Sequence, residues 1–260
     1  MTTAAAEKSR ALSRQRPAIA VILGRAGSKG VPGKNMMPIA GRPCAAWTID
    51  HALAAETVGE IIVSTDDPRL AELAREMGVR AVPRSAELAS DRATVDAAAR
   101  EAVKQWESGS AGDPRLPIVI LYANVPVRPA GLIDRAVGRM VATGCDSVQS
   151  YAPVGKMHPW WTARLDSETG SVRPWEGEVL NHNVYRRQDL PPAFIPDGGV
   201  LVMSRRALFL EIPNVQPGPH ACFGHDRRGV VTGEGEVIDI DTPTDAIVAD
   251  AILGGVHAHR

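Results

Sequence analysis

The residues with the clearest chemical character lie between positions 24 and 35, where four glycines alternate with three basic side chains. The apolar run before them, residues 18–23, has the composition of a buried strand. Glycine lets backbone N–H groups approach phosphate oxygens closely, and lysine or arginine adds charge that amides lack. The loop therefore predicts a cradle for a polyphosphate. Its candidate ligands are Gly24, Arg25, Gly27, Lys29, Gly30, Gly33 and Lys34.

Two familiar phosphate-binding patterns do not fit this loop. A P-loop has four residues between its glycines and a hydroxyl residue after its lysine, whereas five residues separate Gly27 from Gly33 and Asn35 follows Lys34. The dinucleotide fingerprint, Gly-x-Gly-x-x-Gly, leads directly into a helix, whereas Pro32 interrupts any helix here. An ordinary basic turn would not need so many glycines and cations. These comparisons indicate a phosphate-binding loop of another class.

A second candidate for chemistry is the pair Asp239 and Asp241 in the segment VIDIDTPTD. Alternate side chains of a strand share a face, so both carboxylates are predicted on one side, and Ile238 and Ile240 in the core. Two carboxylates this close need a cation, and their oxygens suit Mg²⁺. The pair is therefore predicted to bind Mg²⁺ with the substrate's phosphates. The start of a helix follows directly, marked by Thr242, Pro243 and Asp245.

Alternating strands and amphipathic helices must position these residues. Strands are predicted at 18–23, 60–66, 80–84, 117–125, 146–151, 198–205 and 235–241. Helices are predicted near 43–55, at 68–77, from Ser90 and Asp91, near 130–142 and from Pro243. This alternation predicts an α/β fold with a doubly wound, mostly parallel sheet, which binds ligands at the carboxyl ends of its strands. The segment 152–198 breaks the pattern and is predicted to be an inserted lobe in a single domain spanning 17–260.

Composition narrows the class of protein. The chain has 260 residues, 44% of them hydrophobic, and a formal net charge of −1, which gives no general reason to expect nucleic acid or membrane binding. Residues 1–16 are predicted to be a flexible tail without a secretory signal, and no apolar run approaches the roughly 18 residues of a membrane span. We therefore expect a soluble, cytoplasmic protein. Its three cysteines are widely spaced and odd in number, which fits neither a disulfide framework nor a zinc site, so we expect reduced thiols.

The loop RAGSKGVPGKN, residues 25–35, resembles the RxGSKGxPxKN loop of the acylneuraminate cytidylyltransferases, the CMP-sialic acid synthetase family. Similarity extends over nearly the whole chain from residue 18, and IDIDT, residues 238–242, is similar to that family's metal-binding motif. The resemblance implies a nucleotide-diphospho-sugar transferase-like fold. It also implies transfer of CMP from CTP to the anomeric hydroxyl of an acidic 2-keto sugar, with Mg²⁺ as cofactor. A homodimer is implied as well, with the 152–198 lobe at the interface.

The resemblance adds residues to the predicted nucleotide site. Within the loop it implies Ser28 and Asn35. The segment from Val63 to Asp96 is similar to the family's VSTD…RPxELAxDxA sequence, which implies Arg84, Ser90, Asp91 and Thr94.

On the sugar side, RRQDLPPAFIPDGG resembles RRQDLPxxYxPNGA and implies Arg187 and Gln188 as sugar contacts. Two predicted substrate-binding residues depart from the pattern of sialic acid synthetases. Tyr122 replaces a sugar-contacting glutamine, in a sequence YANVP that is similar to the YATAP of pseudaminic acid cytidylyltransferases. Asp197 replaces the asparagine of PNG. Both changes lie on the sugar side, and they leave the acceptor open between an N-acylneuraminate, a related nonulosonate and another anionic compound.

The implied mechanism is attack by the sugar hydroxyl on the α-phosphorus of CTP, which releases pyrophosphate. Arg25, Lys34 and Asp241 are the predicted catalytic residues, because they neutralise the triphosphate and hold the metal. Asp241 or a metal-bound hydroxide could accept the proton. One alternative is a nucleotidylyltransferase that uses UTP or GTP with a sugar phosphate or another anionic acceptor. The other is a non-catalytic nucleotide-binding homologue, which pyrophosphate release would exclude.

Overall fold

The computed structural model describes residues 18–27, 30–109 and 112–258, with the backbone alone for 256–258. The predicted tail, 1–16, lies outside the described residues. The strands in chain order are β1 (Ala18–Leu23), β2 (Pro38–Ile39), β3 (Arg42–Pro43), β4 (Val58–Thr65), β5 (Arg80–Pro83), β6 (Pro117–Tyr122), β7 (Ser147–Pro153), β8 (Ala163–Leu165), β9 (Val172–Pro174), β10 (Phe194–Ser204) and β11 (Arg227–Val231).

A seven-stranded sheet in the order β11-β7-β10-β6-β1-β4-β5 forms the centre of the described structure. Strand β10 runs antiparallel to β6 and β7, and the remaining neighbouring pairs of this sheet are parallel. The predicted mostly parallel sheet is therefore confirmed. Strand β10 is the point at which the direction reverses, and it lies beside the strand that ends at Tyr122.

Helices cover both faces of the sheet. They are α1 (Cys44–Ala54), α2 (Pro68–Glu76), α3 (Val95–Glu107), α4 (Leu132–Thr143), α5 (Arg205–Leu208) and α6 (Pro243–Ala258). Strand β1 is buried along its whole length, and its side chains alternate between two apolar clusters, with Ile22 facing α1, α2 and α4, and Val21 facing α3 and α5. Because both faces are packed, β1 reads as a continuous apolar run.

The start of α3 differs from the prediction. Ser90 and Asp91 do not open the helix; its N-cap is Thr94, whose Oγ1 accepts a hydrogen bond from the N–H of Ala97 at 3.4 Å. The Ser90 hydroxyl instead donates backward to the carbonyl of Glu87 at 2.7 Å, which closes a turn. Residues 85–94 therefore form a loop beside the sheet edge.

The predicted strand at 235–241 is also wrong. The segment begins in a turn, and the residues that follow pair only with the loop after β6, through bonds from Ile238 N to Val127 O at 3.2 Å and from Ile240 N to Asn124 O at 2.9 Å. Strand β11, which the sequence did not reveal, supplies the sheet edge instead. Ile240 is fully buried, so the predicted inward face of this segment is confirmed.

Between β7 and β10 the chain leaves the sheet. Residues 154–193 contain the β8–β9 hairpin and short 3₁₀ helices at Gly155–Met157, Pro159–Trp161, Leu180–Asn183 and Arg187–Asp189. This is the region predicted to be an inserted lobe, and its role remains a prediction. Among the helices in the described part of the chain, none is long and apolar enough to span a membrane. The three cysteines are free, buried thiols.

Candidate active site

A cavity of about 390 Å³ opens at the carboxyl ends of β1 and β6, beside the start of α3. Sheets of this kind bind their ligands at this edge. Predicted nucleotide-binding residues from three segments line it: Gly24, Arg25, Lys34, Asn35, Arg84, Ser90, Asp91 and Thr94. Tyr122 and Asp241 also line it. Gly27 does not, and Ser28 and Lys29 lie outside the described residues.

The phosphate loop, residues 24–34, is held in place by the surrounding fold. The N–H of Ala26 donates to Asp66 Oδ1 at 2.8 Å, and the buried amide of Asn35 donates to the carbonyl of Arg25 at 2.9 Å. Gly30 lies against the aspartate segment, because a Cβ atom there would stand 2.6 Å from the carbonyl oxygen of Asp241. A glycine at this position thus lets the loop touch the segment that carries the aspartates.

Two cations of this loop pair with carboxylates on opposite walls of the cavity. Arg25 Nη1 donates to Asp91 Oδ1 at 2.7 Å and to the carbonyl of Ala89 at 3.3 Å. Lys34 Nζ donates to Asp241 Oδ1 at 2.7 Å. In the protein alone, carboxylates therefore occupy the contacts that an anionic ligand would make with these two side chains.

The 84–94 segment forms the cavity wall that carries Asp91. Arg84 Nη2 donates to the carbonyl of Ser64 at 2.9 Å, and burial lowers the pKa of the Arg84 guanidinium. The hydroxyls of Ser90 and Thr94 are engaged in the local turn and in the helix cap. This wall is consequently shaped by its own hydrogen bonds before any ligand binds.

Asp241 lines the cavity and Asp239 does not, and the two carboxylates differ in environment. Asp241 is exposed, whereas Asp239 is half-buried, and burial, followed by the charge of Asp241, raises the pKa of Asp239 to about 6. The side-chain amide of Asn124 donates to Asp239 Oδ1 and, at 3.1 Å, to the carbonyl of Ile240. Within the described residues, no group of three or more His, Cys, Asp or Glu side chains is arranged to hold a metal ion. A cation held by this pair would need further oxygens from substrate or water.

The predicted sugar-side residues do not all converge. Tyr122 lines the cavity, and burial, followed by the charge of Asp239, raises the pKa of its hydroxyl. Asp197 does not line it; its carboxylate accepts from the hydroxyls of Ser150 and Thr232, each at 2.5 Å, and from a backbone N–H. Arg187 and Gln188 are exposed in the 154–193 region, where Arg187 pairs with Glu234 at 2.5 Å.

Three residues near the site were missed by sequence reasoning: Asp66, Asn124 and Arg128. The Arg128 guanidinium is buried and donates to the carbonyls of Tyr122 at 3.1 Å and Gly199 at 2.6 Å. It thereby ties the end of β6 to β10. Gly199 lies 71 positions after Arg128, so no short-range spacing pointed to this contact.

Comparison with known proteins identifies the family of this chain. The family model described as cytidylyltransferase matches residues 19–152, just over half of the 260 residues. The matched span includes the phosphate loop and the 84–94 wall. The chain belongs to the cytidylyltransferase family. The family expected from the loop motif is thus confirmed.

Curated relatives are moderately similar to this chain in sequence. An N-acylneuraminate cytidylyltransferase of Streptococcus agalactiae is 31% identical over 195 residues, which cover 74% of this chain and 45% of the relative. The chain thus spans about half the length of the first relatives that it matches. A CMP-N,N'-diacetyllegionaminic acid synthase of Legionella pneumophila is 29% identical over 237 residues, covering 90% of this chain and 95% of the relative.

The fold is shared with solved structures at low sequence identity. A CMP:2-keto-3-deoxy-manno-octonic acid synthetase complexed with CTP superposes with a TM-score of 0.64 at 16% identity, covering 92% of this chain and 99% of that one. This likeness supports the predicted fold class.

Proposed function

We propose that this protein transfers CMP from CTP to the anomeric hydroxyl of an acidic 2-keto sugar and releases pyrophosphate. The proposal depends on one observation above all: the phosphate loop, the 84–94 wall and Asp241 meet at one cavity in a member of the cytidylyltransferase family. The relatives named for N-acylneuraminate and diacetyllegionaminic acid support a nonulosonate as acceptor. Tyr122, which replaces a glutamine, favours one other than N-acetylneuraminate.

Arg25 and Lys34 have the charge and position to bind the triphosphate. Both line the cavity, and each already holds a carboxylate at 2.7 Å, a geometry that a phosphate oxygen can adopt in its place. Their charge would stabilise the pyrophosphate as its bond to the α-phosphorus breaks. Lys29 would contribute in the same way. The 84–94 wall, with Arg84, would take the nucleoside end.

The aspartate pair fits a divalent cation. Burial and the charge of Asp241 raise the pKa of Asp239 to about 6, and a bound cation offsets both effects. We infer that Asp239 and Asp241 hold Mg²⁺ together with phosphate oxygens. When bound there, Mg²⁺ supplies polarisation of the α-phosphate and favours ionisation of the attacking hydroxyl.

Pyrophosphate release tests this function. The purified chain would be incubated with Mg²⁺, CTP and one of four acceptors: N-acetylneuraminate, legionaminate, pseudaminate or 3-deoxy-manno-octulosonate. We expect release with one nonulosonate, and much less when UTP or GTP replaces CTP. CTP binding without release against all four acceptors would contradict the proposal and favour the non-catalytic alternative.

We further propose that the protein forms a homodimer through the 152–198 segment. Large apolar side chains are exposed there, including Met157, Leu165, Trp175, Tyr185 and Ile195, with Tyr185 85% exposed. A monomer rarely exposes so much apolar surface in one region. Sedimentation should give a dimer for the natural chain and a monomer for Trp175→Glu combined with Tyr185→Glu. A monomeric natural chain would refute this assembly.

A further inference from the structure

The environment of Lys34 suggests a role beyond holding phosphate. Its ammonium lies 2.7 Å from Asp241 Oδ1 and 2.9 Å from the carbonyl oxygen of Ile240. A carboxylate and a backbone carbonyl are the hard oxygen donors that a divalent cation prefers. The ammonium therefore binds the same oxygen atoms that a metal ion would use as ligands.

The backbone of Lys34 begins a short turn, and its side chain is long. Gly33 adopts a left-handed conformation with φ of 67°, and a short 3₁₀ turn, Lys34–Met36, follows, with the buried Asn35 at its centre. The long, flexible lysine stem can redirect the charge from this turn. The same side chain also lines the cavity assigned to the triphosphate.

We propose that Lys34 is an internal counter-cation of the metal site, and that it exchanges Asp241 for a phosphate oxygen when the divalent cation and the nucleotide bind together. This rests on the proposed function, because the metal and the triphosphate are assigned there. Lys34 and a divalent cation compete for the same carboxylate, so the metal binds weakly to the protein alone. A nucleotide removes the competitor by drawing Lys34 to its phosphates, which makes metal and nucleotide binding mutually reinforcing.

The proposal makes an unusual prediction for Lys34→Met, which keeps the apolar stem and removes the ammonium. This variant should bind CTP more weakly, yet it should bind Mn²⁺ about tenfold more tightly than the natural chain when no nucleotide is present, as expected for loss of a directly competing charge. Mn²⁺ is the probe because its free concentration is measured by electron paramagnetic resonance.

Arg25→Met provides the matched control. It also removes one cation from the phosphate loop, but that cation pairs with Asp91 on the opposite wall. It should therefore leave the Mn²⁺ dissociation constant within about twofold of the natural value, the size of an indirect charge effect. In Lys34→Met combined with Asp241→Asn, the gain should vanish, because the contested carboxylate is gone. Thermal unfolding verifies that each variant is folded.

The outcomes separate this inference from the proposed function. An unchanged or weaker Mn²⁺ affinity in Lys34→Met, or an equal gain in Arg25→Met, overturns the exchange. Gain in Lys34→Met alone supports it, even if no acceptor yields pyrophosphate. If no variant binds Mn²⁺ with or without CTP, the metal site and the exchange both fail.

Discussion

Glycine-to-alanine changes within the phosphate loop separate the demands of the fold from those of the ligand. At Gly24 an added Cβ would stand 2.4 Å from Leu70 Cδ2 and 2.9 Å from Ala123 Cβ. Leu70 is fully buried and cannot move freely. Overpacking of this kind costs about 1–3 kcal/mol, so Gly24→Ala should lower the melting temperature by roughly 2 to 12 °C.

Gly27 presents the opposite case. A Cβ there meets no atom within 4 Å, and its backbone is not in the left-handed region, so the described fold does not require glycine. Gly27→Ala should leave stability unchanged or raise it by about 0.4–1 kcal/mol, because alanine reduces the entropy of the unfolded chain. If the loop amides approach phosphate here, the methyl group blocks that approach. Losing one hydrogen bond to a charged group costs about 1.5–3 kcal/mol, or roughly ten- to a hundredfold in CTP affinity.

The assay pairs thermal unfolding with calorimetric titration of CTP on both variants. We expect Gly24→Ala to lose stability, and Gly27→Ala to keep its stability but lose CTP affinity. Natural CTP affinity in Gly27→Ala would refute a phosphate contact at that amide. An unchanged melting temperature in Gly24→Ala would show that Leu70 yields more easily than the packing indicates.

Four further changes test the rest of the site. Asp241→Asn should lower kcat about a hundredfold or more at natural stability, since it removes a carboxylate proposed to hold the Mg²⁺ that stabilises the reacting phosphates. Near-normal turnover would contradict its catalytic role. Asp239→Asn should raise the melting temperature at pH 8 in EDTA: the folded carboxyl, with its pKa of about 6 against the ordinary 3.8, loses stability as the pH rises through 6. That gain should shrink below pH 6, and a gain independent of pH would contradict the burial of this charge. Asp66→Ala should raise the KM for CTP several-fold, because it frees the N–H of Ala26 and loosens the phosphate loop. The control is Asp134→Ala, which removes a carboxylate that binds Thr57 and does not line the cavity. Gly30→Ala should reduce kcat more than stability, since its Cβ would push on the backbone of Asp241, and the reverse order would contradict that contact.

Local patterns predicted much of the fold correctly. The start of α6 illustrates this: Asp245 Oδ2 accepts from the N–H of Thr242 at 2.7 Å, and Thr242 Oγ1 accepts from the N–H of Asp245 at 3.3 Å, as the capping pattern indicated. The atoms involved are three residues apart, so sequence spacing alone specifies the contact. The alternation of Val21 and Ile22 between two cores is equally local.

The errors arose where local patterns compete. Ser90 and Asp91 have the composition of a helix cap, but so does Thr94, and the Ser90 hydroxyl closes a turn onto Glu87 instead. The run 235–241 alternates like a strand, yet its neighbour is a loop rather than a sheet edge. In both cases a tertiary neighbour decided between two locally acceptable structures.

The sequence by itself determined the α/β class, the phosphate loop and the carboxylate pair, because each depends on residue types at short spacing. Only the tertiary structure decided which residues meet. Lys34 pairs with Asp241, 207 positions later, and Arg25 pairs with Asp91 across the cavity. Such contacts depend on strand order and on where each strand ends, which short-range periodicity does not encode. The contacts of Arg128 with Gly199 and of Asp66 with Ala26 likewise join residues far apart in the sequence, and the sheet brings them together.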